Sequence, residues 1–126
     1  MKYDPHNPPG REEWLSLPEL ERTDLVLHYH RSRKIELPNE MVHATIHVTV
    51  ENQIALGDDL PVESKLNQLM QEGLDRHESV HAIGTVLAEL IYDTLSKDSK
   101  LDDPNAAYIE ALEHLTSKSW MEKYSE

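Results

Sequence analysis

His77 and His81 stand four residues apart in the stretch Arg76-His77-Glu78-Ser79-Val80-His81, and His43 and His47 repeat that spacing upstream. On a helix, four residues is about one turn. Two imidazoles so placed share a face and can offer two nitrogens to one metal ion. The fold that uses both pairs is one that sets the two helices side by side with their histidines facing. Eight histidines scattered at random over 126 residues would give about half of one such pair, and this chain has two.

Local signals support helices at both places. Ser16-Leu17-Pro18-Glu19 has the form of a capping box and predicts a first helix over 16–33. Its stripe is poor: Leu17, Leu20, Leu27 and His28 share a face, but Leu25, Val26 and Tyr29 fall elsewhere. That helix is expected to be covered on two sides or to meet a partner. Arg31, Arg33 and Lys34 suit the negative end of its dipole. A second helix is predicted over 38–56, stopped by Gly57, with Val42, Ile46, Val50 and Ile54 in one stripe. At ~100° per residue, His43 and His47 fall in or beside that stripe. The β-branched run from Thr45 to Val50 also fits a period of two. The proline start, the glycine stop and the lack of any partner strand favour the helix.

Asp58-Asp59-Leu60-Pro61 reads as a turn into a third helix, 61–72, packed through Val62, Leu66, Leu69 and Met70. Asp75-Arg76-His77-Glu78 is a second capping box, opening a fourth helix over 75–95. Val80, Ile83, Leu87, Leu90 and Ile91 form its core face, and His77, His81, Gly84 and Ala88 line one edge of it. The small residues at that edge let another helix approach closely. After a polar loop, Lys97 to Asp102, Asp103-Pro104 caps a fifth helix, 104–124, with Tyr108, Leu112 and Leu115 inward. Residues 1–11, rich in proline, read as an extended arm. The expected architecture is all-α: one domain over 1–126, a small bundle of about five helices.

Composition excludes several functions. The net charge of −12 repels phosphate backbones and acidic lipid surfaces, so no nucleic acid and no membrane is expected as partner. The chain has no cysteine, which removes disulfides, thiol catalysis and Cys-ligated zinc. No apolar run approaches the ~18 residues of a transmembrane helix, and Met1-Lys2-Tyr3-Asp4-Pro5 does not open a signal peptide. The expected location is cytoplasmic.

Short turns make neighbouring helices antiparallel, so the second and fourth predicted helices run parallel. Each carries its histidines near its start. With a ~1.5 Å rise per residue, both pairs lie within ~12 Å of the same bundle end. His43, His47, His77 and His81 are therefore the candidate ligands of a divalent transition metal. Zinc is the simplest ion; iron and nickel are alternatives. Glu51 continues the ridge of His43 and His47 and can complete the shell. His28, on the better face of the first helix, is the expected extra ligand, with His30 and His114 solvated or structural.

The stretch from Pro38 to Leu95 resembles a family of small bacterial all-helical domains of unknown function. The likeness rests on His43-x-x-x-His47 with Gln53, Pro61 after an acidic turn, and Gly73-x-x-Arg76-His77-Glu78-x-x-His81-x-x-Gly84. It implies a stand-alone helical bundle and no particular reaction. His-Glu-x-x-His is also similar to the metalloprotease signature, in which Glu78 would be the general base. Gly84 fits the extended form of that signature, but Leu87 stands where its third histidine belongs, and Glu78 is explained as a helix cap. His47-x-x-x-Glu51 and His77-x-x-x-His81 resemble two ligand motifs of the haemerythrins; the last motif fails because Ser119 follows His114. Three functions follow: a metal-holding helical protein, a metal-free interaction or homodimerisation module with buried histidines, and a di-iron protein.

Overall fold

The structure is a computed structural model describing residues 2–32, 39–57, 60–96 and 104–124. Among these residues it is all-α, with seven helices and no strand. They are α1 (Arg11–Ser16), α2 (Glu19–Ser32), α3 (Glu40–Leu56), α4 (Val62–Gln71), α5 (Arg76–Ser96), α6 (Pro104–His114) and α7 (Ser117–Tyr124). The Asp58-Asp59 turn, the Pro38 start, Arg33 with Lys34, the Lys97–Asp102 loop and the Asp103 cap lie outside the described residues.

Two differences from the sequence reading concern helix ends. Ser16 does not begin a helix: it closes the short α1, donating its hydroxyl to the Glu13 carbonyl. The expected fifth helix is broken at Leu115-Thr116, where Thr116 and Ser119 exchange backbone-to-hydroxyl hydrogen bonds. Those bonds satisfy end groups that a continuous helix would pair internally. The Asp75–Glu78 capping box forms as its sequence implies. Glu78 N–H donates to Asp75 Oδ1 at 2.7 Å, and Asp75 N–H donates to Glu78 Oε1 at 3.0 Å. Gly57 and Gly73 both adopt positive φ, 78° and 109°, the backbone in which a side chain would be strained.

α3 is the central element, packing against α1, α2, α4 and α5. One core gathers Val50 and Ile54 of α3 with Val62, Leu66, Leu69, Val80, Ile83, Tyr108 and Leu112. A second gathers Ala44 and Val48 with Tyr3, Trp14, Val26 and Leu27. Because α3 has a core on either side, its buried residues exceed the single stripe read from sequence. Val42, at the start of that stripe, is exposed. The N-terminal arm is not simply extended: it turns where Asn7 N–H donates to the Asp4 carbonyl, and Tyr3 and Pro5 are buried; beyond it, Trp14 Nε1 of α1 donates to Asn52 Oδ1 of α3. α3 and α5 approach closely at Gly84, where an added Cβ would meet Ile46 Cγ2 at 3.1 Å.

Candidate metal centre

α2, α3 and α5 converge where the two cores meet, and five histidines fill the junction. One ring nitrogen from each of His30, His47, His77 and His81 lies within 4.8 Å of the others. His43 joins from the edge, its Nε2 3.1 Å from Nε2 of His81. The pairs on α3 and α5 are thus brought together, but the centre spans three helices rather than two.

The third helix contributes His30, which the sequence reading left as solvated or structural. It is 2% exposed, whereas His28, the expected extra ligand, points to solvent. The two are about 200° apart around a helix, so only one can face inward. Val26 and Leu27 decide which. Both are buried, and His30 follows them at four and three residues, on the same face. Leu20, assigned with His28 to the inner face, is 81% exposed. A stripe drawn from Val26 instead of Leu20 finds His30.

Hydrogen bonds leave two of these rings, His30 and His47, in defined states. His30 Nδ1–H donates to the Val26 carbonyl at 2.8 Å, so its Nε2 carries the lone pair. That Nε2 is buried with no hydrogen-bond partner among the described residues. The Tyr3 hydroxyl has a single proton, given to the Glu51 carboxylate, and the same oxygen lies 2.8 Å from His47 Nε2. His47 Nε2–H must therefore be the donor there, leaving Nδ1 as the lone pair. His47 Nδ1 is likewise buried and unpartnered, as is His77 Nε2. Burial, then mutual repulsion among the rings, keeps the His47, His77 and His81 imidazoles neutral. It pushes His77 down to about 4, His81 to about 3 and His47 well below its ordinary value.

Glu51 is buried as the sequence reading required of a ligand, but its oxygens are engaged. Arg76 holds it through both terminal nitrogens, each at 2.8 Å, and Tyr3 binds it as well. Arg76 Nη1 also donates to the Pro5 carbonyl at 2.8 Å, tying the arm to the start of α5. Burial, and then the Glu51 carboxylate, hold the Tyr3 phenol well above its ordinary value, so it stays protonated. Glu51 thus stands behind His47, one hydroxyl removed. Glu78 is exposed in its capping box, and His114 is exposed on α6.

Fold and site together define a class: a small helical bundle whose histidines from three helices converge in its interior. Its membership is specific. The chain belongs to the family described as a domain of unknown function, DUF1841, whose model matches residues 18–114. That span includes all five histidines and exceeds the stretch on which the sequence resemblance rested. Tyr3 lies outside it. No curated protein and no solved structure matches the chain.

Proposed function

We propose that this protein holds a divalent transition metal through His30, His47, His77 and His81, with His43 as a fifth nitrogen beside them and Glu51 orienting His47 through Tyr3. One observation carries the reading. Three ring nitrogens, on His30, His47 and His77, are buried without a hydrogen-bond partner in one cluster. Leaving a buried polar atom unsatisfied costs about 1–3 kcal/mol each. A metal ion answers all three nitrogens at once.

The distances support this. Metal–nitrogen bonds of about 2.0–2.1 Å put the nitrogens of a tetrahedral set about 3.3–3.4 Å apart. His43 and His81, at 3.1 Å, are already close to that separation. The four-histidine set, within 4.8 Å, closes on a tetrahedral ion if each ring moves inward by about 1 Å or less. Two of the outer contacts have the form metal sites use: the other N–H of His30 is held by the Val26 carbonyl, and that of His47 by the Tyr3–Glu51 relay. An all-nitrogen set suits zinc most simply, and iron or nickel as alternatives. The metal would tie α2, α3 and α5 together.

Cobalt(II) added to chelator-stripped chain tests the reading. Visible bands of nitrogen-coordinated cobalt should saturate at one equivalent and vanish in His30→Ala combined with His81→Ala. Unsaturable or absent bands in the folded wild type would contradict it.

A metal-free interaction module is the second reading. It is favoured by the 3.1 Å His43–His81 separation, which also fits an N–H···N hydrogen bond, and by exposed Met41, Val42, Ile91 and Tyr92, a surface for a second copy or a protein partner. In that case the histidine substitutions cost stability while metal uptake is nil throughout.

A further inference from the structure

A pocket of about 760 Å³ opens between α3 and α5 beside the histidines. This is the size of small-molecule sites, about 300–1,000 Å³. His43, His47 and His81 line it, whereas His30 and His77 do not. An ion held by the cluster would therefore present one side to the pocket and be closed off by protein on the other.

Charge defines what could approach from that side. The ring nitrogens are neutral donors, and Glu51, the carboxylate behind His47, is neutralised by Arg76. A divalent ion there keeps its full positive charge in a poorly polarisable setting, which strengthens its attraction for an anion. The walls contribute apolar side chains, Val42, Ile46, Val80 and Ala88. A single anionic head with an apolar body meets both conditions.

We propose that the pocket binds a medium-chain monocarboxylate, its head on the metal ion as an added ligand that expands the four-histidine shell to five, and its chain along Val42, Ile46 and Ala88. This rests on the metal reading above, and the test separates the two. The chelator-stripped full chain is loaded with one equivalent of cobalt(II), the bound metal is counted, and octanoate and acetate are then titrated while the visible bands are followed. Octanoate should bind at least about ten-fold more tightly than acetate, because only its chain reaches the apolar walls. Ala88→Trp, at an exposed position, should retain cobalt and lose that preference; Val42→Trp, also exposed, serves as a second blocking variant. Equal affinity for the two acids on cobalt-loaded chain would overturn the pocket proposal and leave the metal reading standing. So would a preference that survives both tryptophans, or octanoate binding equally to metal-free chain. Failure of cobalt to bind, seen in the count before any acid is added, would overturn both.

Discussion

The Tyr3 hydroxyl lies 2.8 Å from Nε2 of His47 and gives its own proton to Glu51, so a residue near the chain's start fixes which nitrogen of a central histidine is free. Tyr3→Phe removes that acceptor without removing the ring, which packs against Trp14 at 5.5 Å between centroids. The helical content should be kept, with a stability loss of about 1 kcal/mol. Metal affinity, measured by competition with a chromophoric chelator, should fall roughly 10- to 100-fold. Affinity unchanged within about two-fold would mean that Tyr3 does not orient His47.

Behind Tyr3, Arg76 and Glu51 form a buried pair, with side chains 11% and 5% exposed. Removing one partner strands the other charge in the interior. Arg76→Met is expected to cost about 3–5 kcal/mol in urea unfolding, and Arg76→Met with Glu51→Leu to recover part of it. A single variant as stable as the parent would contradict the structure.

Glu78 separates capping from catalysis. Asp75→Ala and Glu78→Ala should each lower stability by about 0.5–2 kcal/mol, through lost capping bonds at the start of α5, and leave metal stoichiometry at one. A His28→Ala variant, altering an exposed ring, should change neither melting temperature nor metal content. His30→Ala should change both.

The close approach of α3 and α5 rests on the missing side chain at Gly84. Gly84→Leu should destabilise the fold by about 1–3 kcal/mol, since its side chain must displace Ile46. By spreading the two helices it should also weaken metal binding. Thermal melts with and without metal measure both effects.

Much of this was legible in the sequence. The all-α bundle, the caps at Asp75 and Gly57, and the inward Tyr108, Leu112 and Leu115 follow from local periodicity and short connections, whereas the histidine cluster draws on α2 as well as α3 and α5. His30 was missed because α2 has no clean stripe. Its buried residues are set by contact with α3 and the arm, a tertiary choice between two faces. Glu51 was placed on the ridge of His43 and His47, but helical spacing could not reveal that Arg76, 25 residues on, and Tyr3, 48 residues back, would occupy its oxygens. The docking of the arm was not legible, because proline-rich composition reports local extension and says nothing of what Tyr3 and Pro5 pack against.

The most direct test is the metal content of tag-free protein, paired with its melting temperature before and after chelation. The account predicts about one equivalent of a transition metal and a clear drop in melting temperature when it is removed, reversed on adding it back. Less than about a tenth of an equivalent of any transition metal, with melting unchanged by chelator, would contradict it.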